Sequence, residues 1–183
     1  LGREIGSGVL AQPGEDEDRD MFEAACRRLE AEGYGRYEIS NFARPGRESR
    51  HNLVYWRRGD YLGLGASAAS CDGGRRWCNE ADLEAYCRRM EAGAAPWNEV
   101  ETLSEADKAF ETLMLGLRLT RGIDRAAFRE RFGYDCAVRF RPLLARWIRA
   151  GLAWLTGERL ALTAAGLDVQ NALLVELMEA MEL

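Results

Sequence analysis

Tyr37-Glu38-Ile39-Ser40-Asn41-Phe42-Ala43-Arg44-Pro45-Gly46 is the stretch from which the fold reads most directly. Residues 37–42 alternate in polarity and are rich in strand formers, and Pro45-Gly46 marks a turn, so a strand is expected over 37–42. Upstream, the acidic run Glu15 to Asp20 leads into Met21, Phe22, Ala25 and Leu29, an apolar stripe at helical spacing that stops before Gly33. Acidic residues in a first turn and glycine after a last turn are helix boundaries. Downstream, Tyr61-Leu62-Gly63-Leu64-Gly65 is a second apolar segment that reads as a strand. Helix, strand and strand in this order describe the closing part of an α/β barrel or sheet. A lone piece of this kind cannot shield both faces, which implies a larger domain.

Further along, Leu83, Tyr86, Cys87 and Met90 fall at i, i+3, i+4 and i+7, an amphipathic helix closed by Gly93. Pro96-Trp97-Asn98 reads as a linker, and the composition then becomes helical. Ser104 with Asp107 opens a helix bearing Ala106, Phe110, Leu113, Met114 and Leu117, with Gly122 near its stop. Asp124 caps a short helix with Phe128 and Phe132 that ends at Gly133. A third helix carries Phe140, Leu143, Leu144, Trp147 and Ile148 and stops at Gly151. Ala153-Trp154-Leu155 and Leu160-Ala161-Leu162 flank a Thr156-Gly157-Glu158 turn, a β-hairpin. Thr163 opens a last helix with Leu167, Leu173, Leu174, Leu177 and Met181 inward. The expected fold is therefore α+β, with a winged-helix-like module of helices and a hairpin over 99–183.

Composition narrows the function. A hydrophobic content of 47% with 30% charged residues is that of an ordinary globular protein. No apolar run approaches the roughly 20 residues that span a bilayer. The opening LGREIGSGVL has neither a basic start followed by an apolar core nor an initiator Met. The expectation is a cytoplasmic chain without a signal peptide, and a fragment. A net charge of −5 argues against broad polyanion binding. Lys108 is the single lysine among 25 basic residues, and with the arginines spread along the chain this reads as coding bias. Cys26, Cys71, Cys78, Cys87 and Cys136 form neither a disulfide framework nor a Cys-x-x-Cys pair, so free, mostly buried thiols are expected. With His51 the only histidine, a His-rich metal site is excluded.

The chemistry gathers downstream of the first turn. Ser49-x-His51-Asn52-Leu53-x-Tyr55-Trp56 places His51 and Tyr55 four apart, on one face of a helical turn, with Trp56 beside them. An imidazole and two large rings suit a flat aromatic ligand, with His51 as axial iron ligand or hydrogen-bond partner. The same residues equally describe a core or interface patch with a satisfied histidine. The Gly63-x-Gly65-Ala66 loop could let backbone approach a cofactor, or could be a tight turn at a strand end.

YEISNFA-x-PG, then S-x-HNL-x-YW and Y-x-GLGA, resembles the oxygen-independent coproporphyrinogen oxidase-like radical SAM proteins, and within them the HemW-type branch. Leu113-Met114-Leu115-Gly116-Leu117-Arg118, Gly122-Ile123, Arg131-Phe132-Gly133, Gly151-Leu152 and Leu162-Thr163-x-x-Gly166 are similar to that family's C-terminal domain in order and spacing. The resemblance implies the C-terminal half of such a protein. Residues 1–98 would be the end of a partial (β/α) barrel with its trailing helix, and 99–183 the C-terminal helical domain. It implies haem binding and delivery to apo-haemoproteins, with His51 as haem ligand and Asn52, Tyr55 and Trp56 shaping the site. Gly63, Gly65 and Ala66 would lie near the cofactor.

The alternative within the family is oxygen-independent coproporphyrinogen III oxidation, a radical decarboxylation of porphyrin biosynthesis. In full-length members a Cys-x-x-x-Cys-x-x-Cys motif holds a [4Fe-4S] cluster that binds S-adenosylmethionine. That motif is absent here, so no catalytic residue is assigned and radical chemistry is not expected of this chain alone. Expected partners are haem or a porphyrinogen, an apo-haemoprotein and the protein's own N-terminal radical SAM half. Where the family tends to read GLGAGAHS, this chain has Ala69 in place of the histidine. The winged-helix-like half raises a nucleic-acid module as a competitor, since nine arginines lie between 118 and 149 against Asp124, Glu130 and Asp135. Its apolar third helix and the acidic excess over 99–183 weigh against that.

Overall fold

The structure, a computed structural model, describes residues 6–8 and 13–182. Most of the N-terminal stretch read above for a leader thus lies outside the described residues. The chain divides into two compact units, Leu1–Glu48 and Ser49–Leu183.

In the first unit, α1 (Glu15–Ala31) ends at Gly33, which takes φ +81°. Two short strands, β1 (Gly35–Arg36) and β2 (Phe42–Ala43), pair antiparallel. The strand expected over 37–42 is instead mostly the turn between them. The cause is Glu38, which is buried and folds its carboxylate onto the turn's own donors. Its Oε1 accepts from Ser40 N at 2.9 Å and Asn41 Nδ2 at 2.5 Å, while Tyr37 N donates to Asn41 O at 3.1 Å. Local side-chain bonds of this kind compete with a sheet ladder and here displace it. Arg36 lies over the Phe22 ring at 5.0 Å, tying β1 to α1.

The second unit opens with α2 (Arg50–Trp56), capped by Ser49. Residues Tyr61–Gly65 do not form the expected strand: Tyr61 makes one isolated bridge to Cys71, and the rest is irregular. The regular hairpin lies just beyond, β3 (Ala69–Asp72) against β4 (Arg75–Cys78), with β5 (Glu101–Thr102) added at the edge. Its turn is Gly73-Gly74, with φ of +56° and +88°, the left-handed pair that a two-residue hairpin turn requires. Helix α3 (Leu83–Glu91) differs from expectation in what it buries. Leu83 and Met90 are 65% and 49% exposed and Cys87 is exposed, while Tyr86 is half-buried and accepts from Gly65 N at 3.3 Å.

The main core follows. Helix α4 (Glu105–Gly116) carries the complete capping box of Ser104 and Asp107. Strand β6 (Ile123–Asp124) leads into α5 (Arg125–Phe132), whose cap is Asp124 and whose stop is Gly133 in the left-handed region. The expected third helix is α7 (Arg141–Arg149), and a short helix not read from the sequence, α6 (Cys136–Arg139), precedes it, the two broken at Phe140. Pro142 explains the break, because a continuous helix would need its missing N–H and would drive its ring into the carbonyl of Val138. Strands β7 (Ala153–Leu155) and β8 (Arg159–Leu162) form the hairpin read from the sequence, and β6 joins it to give the order β6-β8-β7. The last helix is also divided, into α8 (Ala164–Asp168) and α9 (Gln170–Glu182).

Leu113, Leu117, Phe128, Trp147, Leu160 and Leu177 meet in the core, each 2% exposed or less. Burying side chains of this size contributes about 1.5–3 kcal/mol each. Gly166 is required by contact: a Cβ there would sit 1.9 Å from Leu152 O.

The architecture is mixed α and β. The strands pair antiparallel in three small sheets, and no closed barrel is present among the described residues. Nor is any helix long and apolar enough to cross a membrane among them.

Candidate functional site

Helix α2 has no fully buried residue: Arg50 and His51 are exposed, and Asn52 to Trp56 are half-buried. Ser49 Oγ accepts from Asn52 N at 3.3 Å and fixes where the helix starts. One turn later His51 and Tyr55 meet on the same face. Their rings stand edge to face at 4.9 Å, and His51 Nε2 is 3.1 Å from the Tyr55 hydroxyl. Tyr61, returning through the irregular loop, packs edge-on against Tyr55 at 4.6 Å. The imidazole itself is exposed. His51, Tyr55 and Tyr61 therefore form a ladder of rings with its histidine end open to solvent. Tyr61 was missed in reading the sequence because it lies outside the i, i+4 spacing and reaches Tyr55 only through the loop. Burial pushes its hydroxyl pKa up, with further upward push from Cys71 and Tyr55.

Trp56 belongs to a different contact. Its ring lies under the Arg118 guanidinium, 4.4 Å from ring centroid to Cζ. Trp56 Nε1 and Arg118 Nε are both buried without an acceptor among the described residues. Trp56 is thus a bolt from α2 to the end of α4 rather than a wall beside His51. Asn52 is half-buried. A second bolt is the carboxylate of Glu111, 12% exposed, which accepts from Arg58 Nε at 2.9 Å and also pairs with Arg76. Arg58, 5% exposed and at φ +51°, ends the segment that follows α2. Two independent ties therefore hold the histidine helix on α4.

The glycine loop is held by the chain itself. Gly63 N donates to Ser70 Oγ at 3.0 Å, and Asn79 Nδ2 donates to Gly65 O at 2.9 Å. A Cβ at Gly63 would lie 2.2 Å from Ala69 O, so the glycine permits a close approach to β3. Ala66 follows in the same loop, half-buried. Ala69, at the position of the family's usual histidine, is the exposed first residue of β3.

The cysteines are free, but not mostly buried as expected: Cys71 and Cys136 are buried, Cys26 is intermediate, and Cys78 and Cys87 are exposed. Among the described residues no group of three or more His, Cys, Asp or Glu is arranged to hold a metal ion.

Residues 103–169 match the HemN C-terminal domain family. The chain is 32% identical to the heme chaperone HemW of Bacillus subtilis (strain 168) over 159 residues, 87% of this chain and 42% of that protein. It is 32% identical to the Escherichia coli (strain K12) heme chaperone HemW over 173 residues, covering 93% and 45%. This chain belongs to the HemN/HemW family. It spans about two fifths of the length of the HemW proteins it matches. The HemN fold is recognisable in three dimensions as well. The Escherichia coli coproporphyrinogen III oxidase HemN, a radical SAM enzyme, superposes with a TM-score of 0.68 at 20% identity, covering 88% of this chain and 41% of that one. Within the family match lie α4 to α8, including Arg118, so the Trp56 bolt joins the histidine helix to the HemN-type domain.

Proposed function

We propose that this chain is the C-terminal part of a haem chaperone, and that His51 ligates haem iron as cargo is bound and passed to apo-haemoproteins. The observation that carries this reading is the exposed imidazole at the open end of the His51–Tyr55–Tyr61 ladder. A metal-ligating histidine is ordinarily oriented by a partner on its other ring nitrogen, which fixes the tautomer and makes the ligand more basic. Tyr55 is placed for that role. With Nε2–H donating to the Tyr55 hydroxyl, the lone pair lies on Nδ1, available to iron. Tyr55 and Tyr61 offer ring surface to a flat macrocycle, while Asn52 and Trp56 set the pose of the helix. Gly63, Gly65 and Ala66 serve by bringing Tyr61 back onto Tyr55.

The names of the HemW relatives support the same reading. The iron–sulfur cluster and S-adenosylmethionine of radical SAM proteins are not placed on this chain, whose cysteines do not fit a cluster. On this reading they belong to the rest of a full-length protein acting in the cytoplasm. We set the domain boundary near residue 98 as our own reading; the family match begins at 103. We read the order α4, β6, α5, α6–α7, β7, β8 as a winged-helix-like module that serves as a protein-docking frame.

Hand-over is the test. Haem-loaded chain is mixed with apomyoglobin, and the Soret band is followed as haem changes owner. Transfer faster than from free haem is expected. Haem that stays on the chain, or reaches the acceptor no faster than free haem does, overturns the chaperone reading. Release of carbon dioxide from coproporphyrinogen by the full-length, cluster-loaded protein would instead establish the oxidase.

A further inference from the structure

A second site lies on the other part of α4. Its first turns, the end of α5, the Tyr134 loop, α6 and the end of α9 line a half-open cavity of about 310 Å³. That is the small end of the range for ligand pockets, about 300–1,000 Å³. Ala106, Phe132 and Met181 give it apolar walls, and two guanidiniums, Arg131 and Arg139, line it from neighbouring helices.

These arginines differ from the others nearby. Arg125 is bound by Asp135 at 2.7 Å and Arg146 by Glu176 at 2.5 Å. Among the described residues neither Arg131 nor Arg139 has a carboxylate within ion-pair distance. Each is instead held against a ring: Arg131 lies 5.4 Å from the Phe132 centroid and Arg139 5.2 Å from that of Tyr134. A guanidinium over a ring is attracted to its face while its N–H groups stay available to a planar anion. The one acid lining the cavity, Glu105, is already paired with Lys108 at 2.8 Å. Burial pushes the Tyr134 hydroxyl pKa up, so it remains a proton donor beside them.

We infer that this cavity binds a small organic carboxylate with a flat apolar body. The carboxylate takes the charge-assisted hydrogen bonds of Arg131 and Arg139, and the ring packs on Ala106, Phe132 and Met181. This requires neither His51 nor the haem reading, because the cavity is lined from α4, α5, α6 and α9 and none of its lining residues comes from α2.

The probe is 1-naphthoate, titrated into the isotope-labelled chain and followed by backbone amide shifts around Tyr134 and Arg139. Saturable shifts confined to the cavity are expected. Arg131→Gln with Arg139→Gln should weaken binding about a hundredfold, roughly tenfold for each charge-assisted bond lost. Arg141→Gln with Arg149→Gln, both on α7 and outside the cavity, should bind as the unaltered chain does and controls for the loss of two charges. The uncharged 1-naphthalenemethanol should bind at least about tenfold more weakly. Shifts that do not saturate, equal affinity in the double variant, or equal affinity for the alcohol would each overturn the assignment. Both arginines are exposed, and unchanged amide shifts elsewhere in the spectrum verify that the variants fold.

Discussion

Gly122→Ala tests how closely β6 and β8 approach. Gly122 sits at φ +62°, and a Cβ there would lie 2.1 Å from Leu160 O and 2.4 Å from Ala161 Cβ. Two costs follow. An alanine in the left-handed region costs about 1–2 kcal/mol. Forcing a methyl against backbone that cannot swing aside adds about 1–3 kcal/mol of overpacking. The backbone in question is the Ile123↔Leu160 pair, so β6 must move away from the hairpin. The sum, about 2–5 kcal/mol, corresponds to a melting point lowered by about 4–20 °C at roughly 2–4 °C per kcal/mol for a chain of this size. Gly133→Ala is the matched control. It has φ +77° but nothing within 4 Å of its Cβ, so it bears only the first cost. Thermal melts by far-UV circular dichroism should rank the unaltered chain above Gly133→Ala, and Gly133→Ala well above Gly122→Ala. If the two variants melt within about 2 °C of each other, the close approach of β6 to β8 is refuted.

Glu111→Ala should cost about 3–5 kcal/mol in chemical denaturation, since it strands the buried Arg58 without its partner; Arg58→Met with Glu111→Leu should recover most of that loss. Asp135 has its carboxyl held below the ordinary value of 3.8, first by the hydrogen bond from Arg125. Its contribution is complete above 3.8 and fades as pH falls through the depressed value, so Asp135→Asn should lower stability near neutrality and flatten the loss on acidification. Burial pushes the Cys136 thiol up to about 11, whereas Cys78 and Cys87 are exposed; a thiol-reactive disulfide at about pH 8 should label Cys78 and Cys87 in the native chain and reach Cys136 only on unfolding. Tyr55→Phe should weaken haem affinity about tenfold if its hydroxyl orients the ligand; unchanged or tighter binding would show that Nε2 is the ligating atom and the Tyr55 contact an obstacle.

What could be read from the sequence was the part whose boundaries are set locally. Ser104, Asp124, Gly133 and the Thr156-Gly157-Glu158 turn each fix an element through their own backbone chemistry, and the structure has helices and the hairpin at those places. Elements set by distant partners were harder to see. Strand β6 is two residues long and exists only because Gly122 lets it lie against Leu160. The Asp72-Gly73-Gly74 signature marks the β3–β4 turn locally, but the adjacent apolar run at 61–65 is the stronger strand signal and competes with it. Residues 37–42 alternate as a strand does, but Glu38 is buried and its carboxylate makes the turn. At the site, His51 and Tyr55 were legible from their spacing, whereas Tyr61 and the turning of Trp56 towards Arg118 depend on the loop and on α4.

The most direct measurement is a haem titration of this chain and of His51→Ala, following the Soret absorbance of bound haem. The account predicts saturable binding by the unaltered chain and its loss, or a large weakening, in the variant. Equal binding by both would contradict it, because haem would then be held by something other than the imidazole at the open end of the ring ladder.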